Sequence, residues 1–378
     1  MKRLKEILIP ITFILILVLP TVDSIFHFIP DVKNTENREF KKQPKFLLPL
    51  HDTFPNSYNE YYSDNFDLRN QFLWFNSKLR YYMFNIPPIS GKAIMGRSGW
   101  MYLVKHEMDI YWGNNLANQE ELNRYYEIFK YRKKVLDSIK CKYYIVIAPI
   151  KTSIYPEYLP LSKRKNVETT ITDQIVSLLD TVNGITVIDL RTALKSAKGN
   201  VRMFHKTDNH WNDYGGFVAY EAIMNTLSVD FPELTKSSIS DYIIDSTIVD
   251  GFKLTNMMGI YDGIFENKIT CKLAATRKSK KVEKRKYPGF PNFSLNSKYE
   301  LRFKTENDSL PKILMIRDSF GSTLIPYLNE HFSESVYIFD MWNYCLNEDI
   351  LFNEKPDIFI QTVVEPFISN IKYNAKNP

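Results

Sequence analysis

Lys312-Ile313-Leu314-Met315-Ile316-Arg317-Asp318-Ser319-Phe320-Gly321 is the stretch that decides the reading of this chain. Its first half is a short apolar run that reads as a buried strand. Thr323 to Phe332 reads as a helix, with Pro326 tolerated only in its first turns. Ser319 therefore falls in the turn between a strand and a helix. In open α/β sheets, ligands bind outside the carboxyl ends of the strands. A helix beginning just after Ser319 would aim free backbone N–H groups at a developing oxyanion.

A serine hydroxyl needs a base within hydrogen-bond reach and a group that orients the base. Thr207-Asp208-Asn209-His210-Trp211 supplies both, about a hundred residues earlier. Asn212 or Asp213 reads as the N-cap of a helix through Phe217, Tyr220, Ile223 and Met224, so Asp208 and His210 lie on the loop entering it. Trp211 beside the base would shield it from water. Ser319, His210 and Asp208 thus make a candidate acyl-transfer triad. The competing reading is structural: Asp-Ser before a helix also serves as a cap, and Asp-x-His also occurs in surface loops. His27, His51, His106, His205 and His331 lack a comparable setting.

The α/β alternation extends outward from these motifs. A helix is expected over Asn118–Ile139 and a buried strand over Tyr143–Ala148. A helix over Thr169–Val182, a strand over Ile185–Leu190 and a helix over Trp211–Leu227 follow. Strands at Ser335–Phe339 and Asp357–Thr362 close the pattern. This implies a doubly wound, mainly parallel sheet. Between about 237 and 309 the pattern breaks into a polar, strand-like insertion. Gly91 to Leu103 reads as a hairpin. The aromatic-rich stretch Tyr58 to Phe84 has helical periodicity, with Tyr61, Tyr62, Phe66, Leu68, Phe72, Phe75 and Leu79 expected in the core.

The chain opens Met1-Lys2-Arg3-Leu4-Lys5-Glu6, followed by an apolar run from Ile7 to Leu19. This is the basic and apolar pattern of a secretory signal. Extended through Val22, Ile25, Phe26 and Ile29, it approaches the ~20 residues a spanning helix needs. No small-x-small cleavage site follows, so residues 1–30 read as an uncleaved anchor with the basic end in the cytoplasm. A cleaved signal is the alternative; either places the bulk of the chain outside the cytoplasm. Residues 31–60 read as a polar linker and 61–375 as the catalytic domain.

Only three cysteines occur, Cys141, Cys271 and Cys345, so no disulfide framework and no CxxC metal site is implied, and a single disulfide stays open without an assignable pair. Cys141 and Cys345 are expected to be buried. No metal or soluble cofactor is implied. A net charge of +6 is modest for 378 residues and concentrates in Arg277–Lys286. That run reads as a solvated loop or as a contact for an acidic polymer or lipid headgroups. An extracytoplasmic address argues against nucleic acid as a partner.

Taken together, these stretches resemble the SGNH-hydrolase-like polysaccharide O-acetyltransferases of the alginate AlgX/AlgJ (DHHW) type. The resemblance is carried by Asn34–Arg38, Phe66–Gln71, Gly96–Tyr102, Pro149–Pro156, Thr207–Trp211, Arg317–Phe320 and Val364-Glu365, in order along the chain. Asn209 departs from the threonine common at its position. The acid and base precede the serine, the reverse of ordinary SGNH hydrolases and the permuted order of this family. Nothing long follows the last strand, so the resemblance is to the shorter AlgJ-type members without a C-terminal carbohydrate-binding module.

By this resemblance Ser319 is the nucleophile, His210 the base and acid, and Asp208 the orienting carboxylate. Lys151, Tyr155, Trp211 and Arg317 are candidate substrate-binding residues, and Trp100, Trp112 and Trp342 candidate stacking platforms for sugar rings. The implied acceptor is a cell-surface or exopolysaccharide. The implied acetyl source is a membrane-bound MBOAT-type donor protein, because no acetyl-CoA pool exists outside the cytoplasm. Two other outcomes are compatible with the same residues: an esterase of the same fold, and a non-catalytic polysaccharide-binding or assembly protein.

Overall fold

The computed structural model describes the chain except residues 1, 33, 35–37, 47–52, 85, 90, 166, 200, 286, 288–299 and 374–378. It divides into two units, residues 1–93 with 255–264, and residues 94–254 with 265–378.

The larger unit is built on a seven-stranded sheet. Its strands are β3 (Lys142–Ala148), β4 (Ile185–Asp189), β7 (Lys280–Lys281), β8 (Glu300–Lys304), β9 (Ile313–Arg317), β10 (Glu334–Phe339) and β11 (Ile358–Val364). A short hairpin, β1 (Ala93–Met95) and β2 (Met101–Leu103), precedes them, and a separate ribbon pairs β5 (Tyr242–Asp250) with β6 (Phe265–Leu273). The sheet order is β4-β3-β11-β9-β10-β8-β7. The five strands from β4 to β10 are parallel, and β8 and β7 extend one edge antiparallel. This is the mainly parallel α/β sheet expected. β9 and β11 are buried along their whole length, which is why they read as continuous apolar runs rather than alternating ones.

Local chemistry sets the helix starts. Asn118 and Glu121 form a capping box for the helix Gln119–Ser138, and Thr170 with Asp173 does the same for Ile171–Leu179. Asn212 caps Asp213–Asp230 through Gly215 N–H at 3.0 Å. One expectation is corrected. Thr323–Phe332 is not one helix: 3-10 turns at Phe320–Thr323 and Asn329–His331 flank a single α turn, Ile325–Leu328. Within the strand-like segment read as an insertion, β7 and β8 extend the edge of the sheet.

The Arg277–Lys286 run is largely engaged. Glu330 accepts from Lys278 N–H, Ser279 Oγ and Arg277; Lys280 pairs with Glu306; Arg285 reaches Asn353 O; Lys286 lies outside the described residues. None of the three cysteines is in a disulfide. Cys141 and Cys271 are buried, but Cys345 is only half-buried.

The smaller unit holds three helices, Lys2–Phe26, Phe54–Asn65 and Arg69–Phe84. Glu6–Phe26 is long and apolar enough to cross a membrane, by length and composition. Arg38 makes a two-pronged bond to Asp64, at 2.6 and 2.8 Å, and Lys41 N–H adds a third bond at 3.0 Å, strapping the following segment to the second helix. The aromatic pattern predicted the wrong burial here. Of Tyr61, Tyr62, Phe66, Leu68, Phe72, Phe75 and Leu79, only Leu68 is buried, while Phe75 is 61% exposed. Helical spacing collects apolar side chains on one face but does not say what covers that face.

Candidate active site

The parallel strands bring three loops to one end of the sheet. Ser319 follows β9, Lys151 follows β3 and Glu365 follows β11. The loop with Asp208 and His210 is a narrow hairpin, held by a bridge between Phe204 and Trp211 and by Asn212 N–H to Met203 O at 2.9 Å. It enters the helix Asp213–Asp230, whose Gly216 lies against the serine turn. A Cβ at Gly216 would meet Thr323 Cγ2 at 2.5 Å, so only glycine admits this approach.

The structure brings Ser319, His210 and Asp208 together. His210 Nε2 is 2.9 Å from Ser319 Oγ, and His210 Nδ1 is 2.6 Å from Asp208 Oδ1. The same Asp208 oxygen accepts His210 N–H at 3.1 Å. Burial alone would raise the Asp208 carboxyl. The bond from the His210 ring, its charge and the Lys151 ammonium outweigh burial and hold it well below the usual carboxylate range. Phe320 packs on the His210 ring at 4.8 Å between centroids and edge-on against the buried Trp211 at 5.1 Å. Trp211 thus reaches the His210 ring only through Phe320.

The neighbouring carboxylate, Asp318, has a different task. It is fully buried; Oδ1 accepts Phe320 N–H at 2.8 Å and Gly321 N–H at 3.3 Å, and Oδ2 accepts Tyr344 OH at 3.0 Å and Val364 N–H at 2.8 Å. Burial pushes its carboxyl up despite these bonds. Asp318 therefore fastens the serine turn to β11. It also takes the two backbone donors expected for an oxyanion, leaving the Ser319 N–H as the unengaged donor of this turn among the described residues.

Lys151, Tyr155, Trp211 and Arg317 are all at least 93% buried. Lys151 Nζ donates to Met101 O at 2.7 Å and Lys206 O at 3.0 Å, tying the hairpin β1–β2 to the Asp208 loop. The Tyr155 hydroxyl accepts from Met203 N–H at 3.3 Å. Arg317 donates to Ser322 Oγ at 2.7 Å and lies over the Phe339 ring. These four side chains face the protein rather than solvent. Trp100 is likewise buried, stacked on Tyr158 at 4.6 Å and tilted against Tyr155 at 4.7 Å, so it offers no sugar platform here; Trp112 and Trp342 are half-buried.

Two acids escaped the sequence reading. Glu266 on β6 accepts Thr207 N–H at 2.6 Å and also the Thr207 hydroxyl, anchoring the loop one residue before Asp208. Burial opposes its charge, but the bonds from His205 and Thr207 hold it at about 2. Glu107 is buried beside Lys151 and pushed up to about 8 by burial, while burial pulls Lys151 down to about 7. Neither acid sits in a local motif. Glu266 is 59 positions from its partner, so no local signal existed.

Residues 93–259 match the family described as SGNH hydrolase-like domain, acetyltransferase AlgX. That segment, 167 of the 378 residues, is similar to the SGNH hydrolase-like domain of AlgX acetyltransferases. The matched segment contains Lys151, Tyr155, Asp208, His210 and Trp211 and ends before Arg317 and Ser319. Among curated proteins, no relative matches by sequence. The fold is similar to that of a DHHW family protein from Eubacterium siraeum, at 15% identity and a TM-score of 0.53, covering 77% of this chain and 98% of that one. It is also similar to Bacillus cereus PatB1 solved with a sulfonyl adduct, at 16% identity and a TM-score of 0.51, covering 74% and 97%. At these identities the likeness is one of fold.

Proposed function

We propose that this protein is a membrane-anchored, extracytoplasmic O-acetyltransferase that moves acetyl groups through Ser319 onto hydroxyls of a cell-surface polysaccharide. The observation that carries the reading is the unbroken chain of hydrogen bonds from Ser319 Oγ through His210 to an ionised Asp208. The Ser319 oxygen attacks the acetyl carbonyl while His210 Nε2 takes its proton. The tetrahedral centre collapses, the donor oxygen or sulfur leaves with that proton, and acetyl-Ser319 remains. A sugar hydroxyl then gives its proton to His210 and attacks the acetyl carbon; Ser319 recovers the proton as it departs. The Ser319 N–H is placed to donate to the oxyanion in both halves. Asp208 fixes the ring tautomer and balances the imidazolium.

Lys151, Tyr155, Trp211 and Arg317 act in this scheme from behind, holding the loops that carry the triad. No step calls for a metal or soluble cofactor. Because acetyl-CoA is confined to the cytoplasm, the donor is presented by a membrane partner, for which the family resemblance points to an MBOAT-type acyltransferase. The N-terminal helix, as an uncleaved anchor in the inner membrane, keeps the site beside that partner.

The test is intact-protein mass and product analysis on the detergent-solubilised chain and its Ser319→Ala variant, with a chromogenic acetyl ester and oligosaccharide acceptors. An acetyl adduct on the parent alone, discharged faster by a sugar than by water, is the expected result. Equal discharge without acceptor acetylation replaces the transferase with an esterase. An unchanged Ser319→Ala variant, or no adduct on either protein, removes the reading.

A further inference from the structure

The helix Arg69–Phe84 presents an apolar stripe that its own unit covers only in part: Phe72 and Leu79 are half-buried, Phe72 meets the Phe66 ring at 6.5 Å and the Tyr82 hydroxyl donates to Gly263 O at 2.8 Å. Phe72, Phe75, Leu79 and Tyr82 recur at i, i+3, i+7 and i+10, with Met83 alongside. Phe75, Tyr82 and Met83 are 61%, 55% and 70% exposed. Other edges of the helix are occupied: Trp74 and Lys78 bind Asp262 at 2.8 Å each, and Arg80 reaches Pro88 O at 3.0 Å. The helix contains Arg69, Lys78 and Arg80 and no acidic residue.

Its place in the chain says what would cover the stripe. Gln71, one step round the helix from that stripe, donates to Pro30 O at 3.2 Å. Pro30 lies four residues beyond the end of the apolar helix Lys2–Phe26. The start of Arg69–Phe84 is therefore tied to the point where the anchor would leave the bilayer. Phe26 and Phe28, also well exposed, continue the apolar surface at that exit. Aromatic side chains favour the membrane–water interface. A helix with one apolar face and basic residues beside it lies in the plane of the headgroups, attracted by anionic lipid.

We infer that Arg69–Phe84 is an interfacial helix whose Phe72–Phe75–Leu79–Tyr82–Met83 stripe docks on the lipid surface of the membrane that Lys2–Phe26 crosses. The occupant is lipid, not a second protein. Docking would restrict the tether at its root, converting a loose leash into a fixed mounting. The inference rests on the anchor reading and is independent of acetyl transfer.

The test uses the full chain in vesicles containing anionic phosphatidylglycerol. In a Cys345→Ser background, the buried Cys141 and Cys271 stay unlabelled, and a single environment-sensitive fluorophore is placed by Met83→Cys, by Phe75→Cys or, within the anchor, by Ile16→Cys. Nitroxide is carried on the headgroup or the shallow acyl chain of the lipid for positions 75 and 83, and near the acyl-chain end for position 16, which lies midway along Glu6–Phe26. At positions 75 and 83, about twofold quenching or more and a blue-shifted emission are expected, as for a side chain at the headgroup–acyl boundary. Quenching at position 16 with none at 75 and 83 overturns the inference while leaving the anchor intact, and assigns the stripe to a protein partner. No quenching at any position overturns both.

Discussion

The loop end of the parallel sheet and the helix Arg69–Phe84 are both crowded with aromatic side chains, and the molecule uses them in opposite ways. At the sheet, Phe204, Trp211 and Phe320 are all at most 2% exposed, and Phe320 bridges Trp211 to the His210 ring. On the helix, Phe75, Tyr82 and Met83 face outward. The first arrangement holds three polar side chains at fixed distances. The second leaves an adhesive surface. Apolar content is thus the same signal in both regions, and the surroundings decide whether it becomes a scaffold or a contact.

The largest expected contrast lies between removing the nucleophile and altering the stripe. Ser319→Ala should lower acetyl transfer by about 10⁴-fold or more while leaving the melting temperature nearly unchanged, read by product formation and calorimetry on the same samples. Asp208→Asn should cost about 10⁴-fold in kcat, since the amide favours the wrong tautomer of His210. If Asp318→Asn instead gave the larger loss in kcat with no loss of stability, the assignment of the two carboxylates would be reversed. Phe320→Ala should destabilise by about 3–5 kcal/mol in denaturant titration, because it empties a filled space between Trp211 and the imidazole.

A smaller effect is expected from Glu107→Gln. Burial raises the Glu107 pKa from 4.5 to about 8, so between those values the folded state binds more protons than the unfolded state. The stability this group contributes is full below about 4.5 and is lost as pH rises towards 8. Lys151 works in the opposite sense, but only above about 7, where its folded form has released its proton and the unfolded form has not. From about pH 5 to about pH 7, the parent should therefore lose about 1 kcal/mol per pH unit more than Glu107→Gln. Parallel slopes would place Glu107 outside the titrating group. The smallest effect belongs to the stripe: Phe75→Ser in detergent should change stability by no more than about 0.5 kcal/mol, as for a side chain without protein contacts. A loss of several kcal/mol would show that the stripe is packed after all, and the contrast between the two regions would fall.

Much of the framework was legible from local pattern. β3, β9 and β11 read as strands because both faces are buried and their positions are apolar apart from Lys142, Arg317, Gln361 and Thr362. Asn118 and Asn212 announced helix starts because a cap bonds within three residues of itself. The serine after β9 and the Asp-x-His before the long helix were visible for the same reason: each motif is contiguous in the chain.

What the sequence by itself determined is thus the set of elements and the ends at which the polar residues stand. Only the tertiary structure decided that Asp318 takes the Phe320 and Gly321 donors and that Glu266 clamps Thr207 from a distant ribbon. It also decided that residues 280–281 and 300–304 edge the sheet and that Phe75, Tyr82 and Met83 stay exposed. Periodicity and capping are set by bonds a few residues long. Partner choice, burial and charge state depend on which distant segments meet, and the meeting is decided by the packing of the whole sheet.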